Sequence, residues 1–290
     1  MGMRINTNVA SLTAQRYLES NNASLSDSLE RLSSGFRINK SADDAAGLAV
    51  SEGIRAKVRG LGVAKRNAND GISMIQIAEG SMNEMSNILI RLRELTVQSA
   101  SDTIGSVERG YLNREYTQLV DEIDRIAKTT EYNSLKLFDT GDQTSFVIQV
   151  GTSGSAPEEN RDTISINLEG LKFSSEDLGL GKENEIGPID GGDSPTRDEI
   201  AQKLGTIDSA LDRFASERAT LGSVQSRLTS SLNNLGVSVE NLETAKSRIK
   251  DVDFAAESTR LAQAQVLKAS STSVLAQANQ APEMALQLLR

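Results

Sequence analysis

The stretch IRAKVRGLGVAKRNANDGISMIQIAEGSMNEMSNILIRL, residues 54–92, decides how this chain folds. Apolar residues stand seven positions apart along all of it, and other apolar residues fill positions between them. The members of this repeat are Ile54, Leu61, Ala68, Ile75, Met82 and Leu89. A sustained repeat of this period keeps one stripe of a helix facing a partner helix, as in a coiled coil. We therefore expect one long helix whose apolar stripe is covered by another helix.

A matching repeat near the other end of the chain supplies a candidate partner. Its members are Leu221, Leu228, Leu235, Leu242 and Ile249. Both runs are far longer than the ~11–12 residues of an average globular helix, which favours a coiled coil over a stripe in an ordinary core. We use the name rod seam for ten of these positions: Ile54, Leu61, Ile75, Met82, Leu89, Leu221, Leu228, Leu235, Leu242 and Ile249.

Proline and glycine positions set the expected breaks. The prolines leave residues 1–156 and 196–281 free to form long helices, because proline breaks helix interiors. Four glycines near the start of the first repeat lower its helix propensity. They are Gly47, Gly53, Gly60 and Gly62. We interpret them as sites of close packing rather than as a break.

The middle of the chain follows other patterns. A third helical pattern covers about residues 107–127. The β-rich runs 146–150 and 163–168 are separated by GTSGSAPEENRD, which predicts a hairpin with a long polar loop. A Gly-rich acidic loop follows, and Ser194-Pro195 is typical of a helix N-cap and first helical residue. These two residues are expected to open a helix that runs towards residue 250.

The two ends of the chain carry narrow apolar stripes. The N-terminal stripe comprises Ile5, Val9, Leu12, Leu18, Leu25, Leu29, Leu32 and Phe36. The C-terminal stripe comprises Leu261, Val266, Val274, Leu275, Met284, Leu286 and Leu289. A helix with so narrow a stripe is not stable alone in water, so both ends need partners.

Composition argues against several kinds of site. The chain has no Cys and no His, which removes thiolate and imidazole metal ligands, disulfides and His-dependent nucleophiles. Aromatic residues make up only 3% of the 290 residues, which disfavours a large globular core with a ligand pocket. The net charge is −9, and residues 131–220 hold eighteen acidic and eight basic residues. We expect no cofactor, no metal and no nucleic-acid partner.

Two further signals concern surfaces and compartments. The basic run Arg55, Lys57, Arg59, Lys65 and Arg66 is interpreted as a solvated helix face or as subunit-contact charges. No stretch approaches 18 apolar residues, so no membrane insertion is expected. The opening MGMRINTNVASL lacks the apolar segment of a cleaved signal peptide, so the chain is expected to stay inside the cell or to leave without one.

Three short motifs are candidates for a metal, acid–base or phosphate-binding site, and each has a feature that argues against that role. Asp43-Asp44 and Asp251-Val252-Asp253 could be metal or acid–base pairs, but each lies at an expected helix boundary, where acidic residues act as caps. We favour capping for both. Gly179-Leu180-Gly181-Lys182 lacks the spacing and the following hydroxyl of a phosphate-binding loop.

Four longer stretches resemble bacterial flagellins nearly word for word. They are SLERLSSGFRINKSADDAAGLAVSEGIRAKVRGLGVAKRNANDGISMIQIAEG (28–80), IRLRELTVQSASDT (90–103), EYNSLKLFD (131–139) and VLAQANQAPEMALQLLR (274–290). The resemblance covers roughly residues 1–170 and 195–290. The segment between them is too short for the large outer domains of many flagellins. The resemblance therefore implies a short form of the family.

The resemblance implies a mainly α fold. We expect an elongated antiparallel helical bundle or coiled coil with paired N- and C-terminal helices, and a small β-hairpin region at about residues 140–190. Residues 1–44 and 251–290 would form the inner filament core, and residues 45–250 an outer rod domain.

The resemblance also implies a function and partners. The chain would be the structural subunit of the flagellar filament, assembled from copies of itself outside the cell as a propeller for motility. Implied partners are the flagellar type III export apparatus, a chaperone bound to the C-terminal region, the filament cap and hook-associated proteins.

A host receptor is a further implied partner. In flagellins that vertebrate Toll-like receptor 5 recognises, the contact centres on an Arg and a Leu of one helix and a Glu of the next. The matching residues are Arg91, Leu95 and Glu115. Arg91 and Leu95 are four residues apart and so share a helix face. The structural interpretation, in which Leu95 packs in the seam and Arg91 pairs with Glu115, is equally open.

Alternatives to a filament subunit belong to other classes. A hook-filament junction protein shares flagellin-like ends but differs in the middle of the chain. A type III secreted coiled-coil effector would be exported independently of flagellar genes. An enzyme is the remotest alternative, because long helical rods offer few pockets.

Overall fold

The computed structural model describes residues 7–139, 145–152, 162–167, 169–181, 186–187 and 196–287. In this part of the chain, five α-helices carry most of the structure: α1 (Val9–Ser34), α2 (Ala45–Ser99), α3 (Ser106–Thr129), α4 (Arg197–Lys250) and α5 (Phe254–Gln287). The strands are β1 (Glu131–Tyr132), β2 (Leu135–Lys136), β3 (Ser145–Gln149) and β4 (Thr163–Asn167), and a 3₁₀ turn spans Glu169–Leu171. The expected mainly α fold with a small β region is confirmed.

The chain divides into two compact units. Unit 1 comprises Met1–Val58 and Glu240–Arg290, and unit 2 comprises Arg59–Val239. The sequence-based boundaries between filament core and rod, at 44/45 and 250/251, differ from these positions and stay a prediction about function. They do fall in the gap between α1 and α2 and at the end of α4.

The core of unit 2 is built from the long repeat of α2. Leu61, Ile75, Met82 and Leu89 are all buried, and Leu92 is fully enclosed between them and the rest of the core. Residues of α3 and α4 lie against this stripe in one apolar cluster. From α3 they are Tyr116, Val120, Ile123 and Ala127, and from α4 they are Ile207, Ala210, Phe214, Leu221, Val224 and Leu228. Three helices therefore share the core of this unit.

The predicted helices occur close to their expected bounds. The helix expected at 107–127 is α3, and the long helix expected to run towards 250 is α4. The predicted cap Ser194-Pro195 lies outside the described residues. Within them, the Glu199 carboxylate accepts a hydrogen bond of 2.8 Å from the Thr196 backbone N–H, which is half of a capping box. This bond holds the pKa of Glu199 below its ordinary value.

The predicted hairpin pairs Ser145–Gln149 with Thr163–Asn167 in antiparallel register. Its predicted last residue, at 168, and most of its loop lie outside the described residues. Asn67 of α2 donates a hydrogen bond of 3.1 Å to the Gln149 carbonyl, so β3 runs along α2. The Ile148 side chain occupies the space that a Cβ at Gly71 would need. Glycine at this position allows the strand to lie against the helix.

A second, shorter hairpin was absent from the sequence predictions. β1 and β2 pair across a turn in which Asn133 and Ser134 both have positive φ, at 49° and 65°. Asn tolerates this left-handed conformation better than most residues, which makes Asn-Ser the signal that indicates the turn.

The four glycines of α2 separate into two pairs. The helix runs through them unbroken, as expected. A Cβ at Gly47 would meet the side chains of Asp44 and Ile38, and one at Gly60 would meet Thr152. The close-packing interpretation was wrong for Gly53 and Gly62, because nothing lies within 4 Å of a Cβ at either position.

Leu228→Asp should strongly destabilise unit 2. Leu228 is fully buried on α4, so the change places an unpaired carboxylate in the core and should cost more than about 3 kcal/mol. For a unit of this size that lowers the melting temperature by roughly 6–12 °C. The matched control is Val237→Asp on the same helix, where 59% of the side chain is exposed. Circular dichroism melts of monomers that were equal for the two variants would contradict the packing described for α4.

Candidate assembly surfaces

Helices α1 and α5 pair in unit 1 with their small residues inside. The α1 side chains that are buried are Ala14 and Ser28, and those of α5 in the described range are Glu257 and Ala264. None of these is a large apolar residue. Ala has little surface to bury, so the fully buried positions add little hydrophobic stabilisation, and the half-buried leucines supply the larger apolar contacts of this pair.

Eight large apolar side chains of the same two helices are exposed, whereas five leucines are half-buried: Leu18, Leu25, Leu32, Leu261 and Leu275. Tyr17 of α1 is 66% exposed and Val266 of α5 is 69% exposed. Others that are exposed on these helices are Val9, Leu12, Leu29, Phe254, Leu267 and Val274. We use the name outer faces for these eight residues. Apolar residues exposed in such number along two helices mark an interaction surface rather than a solvated one.

The break between α1 and α2 is tied to the break between α4 and α5. Gly35 ends α1 with φ of 74°, and its carbonyl accepts a hydrogen bond of 3.0 Å from the Val252 N–H. The Arg37 N–H donates to the Lys250 carbonyl at 2.7 Å, and the Arg37 guanidinium donates to the Ile249 carbonyl, also at 2.7 Å. Arg37 therefore caps the C-terminal end of α4 from another segment of the chain.

Charged and aromatic contacts add to this junction. The Lys250 ammonium lies 4.9 Å from the centre of the Phe36 ring, within the range of a cation–π contact. The same ammonium lies 3.4 Å from the Glu52 carboxylate. The side chain of Lys250 thus joins the end of α4 to the segment after α1 and to α2.

One acid of each candidate pair caps a helix, as the favoured interpretation predicts: Asp44 for α2 and Asp253 for α5. Asp44 accepts a hydrogen bond from the Gly47 N–H at the start of α2. Asp253 accepts from the N–H groups of Ala255 and Ala256 at the start of α5. Among the described residues, no group of three or more acidic side chains is placed to hold a metal ion.

Asp43 organises the turn before α2. Its carboxylate accepts hydrogen bonds of 2.9 Å from the Lys40 N–H and 3.0 Å from the Asn39 N–H. These two donors hold the pKa of Asp43 below the ordinary value of 3.8. A lowered pKa means that the stabilisation is present above that value and is lost as the pH falls through the lowered pKa. The turn is therefore intact at neutral pH.

The rod-seam residues fall into two classes of burial. The seven from unit 2 are buried: Leu61, Ile75, Met82, Leu89, Leu221, Leu228 and Leu235. The three from unit 1 are half-buried: Ile54, Leu242 and Ile249. The repeat is therefore fully enclosed only in unit 2.

The fold exposes two of the three residues matched to a receptor contact and buries the third. Arg91 donates hydrogen bonds of 2.9 Å to Glu115 and to Glu94, and all three side chains are about half exposed. These carboxylates, Glu94 first, hold the pKa of Arg91 above its ordinary value. Leu95 is 0% exposed and packs in the core of unit 2. Only Arg91 and Glu115 are presented at the surface.

The basic run of α2 is exposed, as a solvated face or a contact surface would be. Arg55 pairs with Glu52 at 2.9 Å within the same helix. No ion pair of Lys57, Arg59, Lys65 or Arg66 occurs with another residue in the described part of the chain. These charges leave both interpretations open.

Unit 2 also contains a cavity of about 370 Å³ between α3 and the segment 175–181. The Asp124 carboxylate in its wall accepts hydrogen bonds of 2.6 Å and 2.8 Å from the Ser175 N–H and hydroxyl. The Tyr116 hydroxyl is buried, and burial raises the pKa of Tyr116 to about 12. The phenol therefore stays neutral at physiological pH, and Asp124 serves the turn at Ser175.

Two stretches of the chain, one towards each end, match known protein-family regions. Residues 5–143 match the bacterial flagellin N-terminal helical region, and residues 204–289 match the bacterial flagellin C-terminal helical region. No described helix is long and apolar enough to cross a membrane.

Named relatives match over their whole length. The chain is 39% identical to flagellin of Bacillus subtilis over 312 aligned residues, covering 99% of this chain and 100% of the relative. It is 40% identical to flagellin of Halalkalibacterium halodurans over 288 residues, with the same coverage. Flagellin C of Vibrio cholerae is 36% identical over a longer alignment of 377 residues, covering 100% of both chains. This chain is thus a short form relative to the Vibrio protein.

One solved structure supports the fold alone. A protein described as a flagellar hook-associated protein from Vibrio parahaemolyticus superposes with a TM-score of 0.58. The match covers 72% of this chain and 100% of the other, at 13% sequence identity.

Arg91→Ala and Leu95→Ala should differ in their effect on stability, although they lie one helical turn apart. Removing Arg91 breaks exposed ion pairs and should change the free energy of unfolding by less than about 1 kcal/mol. Removing the buried Leu95 side chain should cost about 2–5 kcal/mol. Urea unfolding of monomers measures both. Equal costs for the two variants would contradict the placement of Leu95 in the core.

Proposed function

We propose how this chain, which belongs to the bacterial flagellin family, builds the filament of which it is a structural subunit. Copies of the chain cover the outer faces of α1 and α5, and unit 2 supplies a folded body that is stable before assembly. The observation that carries this proposal is the orientation of the apolar residues in unit 1. Within the described residues, its helices α1 and α5 fully bury only Ala14, Ser28, Glu257 and Ala264, and they leave the eight large apolar residues of the outer faces exposed.

The outer faces leave apolar surface of α1 and α5 uncovered within one chain. A fully buried Val or Leu side chain stabilises by ~1.5–3 kcal/mol relative to an exposed one. The eight residues of the outer faces forgo a large share of that stabilisation within one chain, because their side chains are 43% to 69% exposed. A second copy is a fitting cover, because the filament places many identical chains side by side and each chain carries both outer faces.

The two units differ in how far their large apolar residues are covered within one chain. In unit 2 the large apolar residues of α2, α3 and α4 already cover one another. Unit 2 should therefore fold as a monomer, whereas unit 1 should gain most of its order on assembly. The sequence predicts a division of the same kind between outer rod and inner filament core, with boundaries at 44/45 and 250/251 rather than at those of units 1 and 2.

Export and capping partners fit the same surfaces. Before assembly, the outer faces need protection from aggregation, and a chaperone that binds the C-terminal region would cover the face of α5. We propose secretion through the flagellar type III apparatus, with cap and hook-associated proteins acting at the ends of the filament. An uncovered pair of terminal helices is what each of these partners would bind.

A receptor contact on unit 2 is a second proposal, carried by the exposed ion pair of Arg91 and Glu115. Their side chains lie 2.8 Å apart at the surface and present adjacent opposite charges. Leu95 would act by supporting the helix from inside, because its side chain is enclosed. Toll-like receptor 5 is the receptor that the family resemblance implies.

The receptor proposal predicts that Arg91→Ala weakens activation of cells that carry Toll-like receptor 5. Arginine is a frequent hot-spot residue, and its loss should lower the potency of monomers by about tenfold or more. Arg125→Ala is the matched control, because Arg125 is an exposed arginine on α3 that also pairs with a nearby glutamate. Equal potency of the Arg91→Ala variant and the unaltered chain would exclude Arg91 from a contact.

The assembly proposal predicts that Val266→Asp abolishes filament formation. The substitution places a charge on the outer face of α5, where burial by another copy would leave it unpaired and costly. Val266→Ile keeps the surface apolar at the same position and should polymerise normally.

Deletion of residues 274–290 should leave a soluble, helical chain that forms no filaments.

Electron microscopy and sedimentation of filaments measure these outcomes. Normal filaments from Val266→Asp would contradict the covering of α5, and normal filaments from the truncated chain would contradict a role for its C-terminal end. A melting temperature of unit 2 that is unchanged in both variants shows that they fold.

A further inference from the structure

Polar side chains join α1 to α5 at three levels. The Asn8 amide donates to the Ala278 carbonyl at 2.8 Å, and the Ser11 hydroxyl donates to the Asn279 side-chain oxygen at 2.7 Å. Nearer the middle of α1, the Asn21 amide donates to the Ser271 hydroxyl at 2.7 Å and to the Leu267 carbonyl at 3.5 Å. The order of these partners makes the pair antiparallel.

Hydrophobic packing alone would not determine which residues of the two helices face each other. The buried positions are Ala14, Ser28 and Ala264 together with Glu257. If α5 slid along α1 by one heptad, the same stripe of each helix would still face the other, so the half-buried leucines of α1 would still face the leucines of α5. The bond between Asn21 and Ser271 would not survive the slide, because the residues seven positions away on α5 are Ala264 and Ala278, which have no hydroxyl.

We propose that Asn21 sets the register of α5 against α1 through its bond to Ser271. A single polar residue in a helix–helix interface is known to specify register at some cost in stability, because the wrong register leaves its amide unsatisfied. Asn21 is half-buried and lies on the face of α1 that meets α5. Asn21 is thus a positioning residue.

Register matters because it arranges the outer faces. A slide of one heptad moves Val266 by about 10 Å along α1, at 1.5 Å per residue. Tyr17 on α1 and Val266 on α5 would then no longer form the combined surface that a neighbouring copy meets. This inference rests on the proposed covering of the outer faces by other copies.

The register can be read directly with introduced cysteine pairs, because the chain has none of its own. Starting from Asn21 opposite Ser271, seven residues onward on α1 is Ser28, and seven residues back on α5 is Ala264. Ser28→Cys with Ala264→Cys therefore reports the native register, and Ser28→Cys with Glu257→Cys reports a slip of one heptad. A disulfide forms only when the two Cα atoms lie within about 7 Å. Oxidised filaments run on denaturing gels separate links within a chain from links between chains.

Asn21→Leu is the informative change, with Asn22→Leu as its control. Leucine keeps the volume and adds apolar surface, so a residue that only stabilises the pair would be replaced without harm. We expect Asn21→Leu to lower the native-register link at least fivefold and to raise the slipped link. Asn22 is exposed and makes no hydrogen bond to another described residue through its side chain, so Asn22→Leu should leave both links unchanged.

If Asn21→Leu fails to polymerise, a second variant that exchanges the two hydrogen-bonding residues keeps the proposal testable. Asn21→Ser combined with Ser271→Asn rebuilds the amide–hydroxyl bond in the opposite sense. This double variant should restore filaments and the native-register link if Asn21→Leu loses them. Loss of filaments that the exchange does not restore would overturn the register role.

Native-register links at the unaltered level in normal Asn21→Leu filaments would also overturn it. That result would not contradict the proposal that other copies cover the outer faces, because Val266→Asp tests that proposal separately. Conversely, filaments formed by Val266→Asp would contradict the covering while the cross-link ratio of Asn21→Leu still reports the register.

Discussion

The arrangement of unit 1 depends on one constraint: α1 and α5 fully bury only small or polar side chains and half-bury a few leucines, so much of their apolar surface stays uncovered within one chain. Ala14 and Ala264 are buried, while Tyr17 and Val266 face outward. Helices in water derive most of their stability from burying an apolar face. A pair built in this way is incomplete in a single chain and complete only when other copies surround it. The same property makes the chain suited to a polymer and keeps its assembly dependent on neighbours.

Unit 2 is packed in the opposite way, because its large apolar residues cover one another within one chain. Its three helices enclose large apolar residues, and the segment 169–181 adds Phe173 between Phe138 and Phe214. The ring centres of Phe173 and Phe214 lie 4.1 Å apart. Arg213 holds this segment by donating hydrogen bonds to the carbonyls of Asp177 and Lys172, both at 3.1 Å. Three of the six phenylalanines of the chain thus pack together in the core of this unit.

Much of this architecture could be predicted from the sequence, because a seven-residue repeat constrains a helix strongly. The positions Ile75, Met82, Leu89 and Leu228 are buried. The ends of the chain were predicted to need partners because their apolar stripes are narrow. The sequence did not indicate that α1 and α5 would place alanine and serine inside, since periodicity alone does not say which stripe faces which partner.

Other features depend on contacts that no local pattern encodes. Arg37 caps α4 across more than two hundred positions of sequence, and the link of Asn21 to Ser271 is equally distant. Leu95 and Arg91 share a helix face, yet one is enclosed and the other exposed, because α3 covers only part of that face. The packing of Gly60 against Thr152 follows from the same kind of distant neighbour, whereas Gly47 packs against the nearby Asp44 and Ile38. Three-dimensional placement was required for each of these.

The most direct test of the central claim is the accessibility of the outer faces before and after assembly. Tyr17→Cys and Val266→Cys give single reactive thiols in a chain without cysteine, and labelling by a polar maleimide measures their exposure to solvent. Thr220→Cys, at an exposed polar position on α4, gives a reference thiol in unit 2. Monomers should label rapidly at all three positions, and filaments should protect Tyr17→Cys and Val266→Cys by at least tenfold more than the reference. Equal labelling of the two outer-face thiols in monomer and filament would contradict the account.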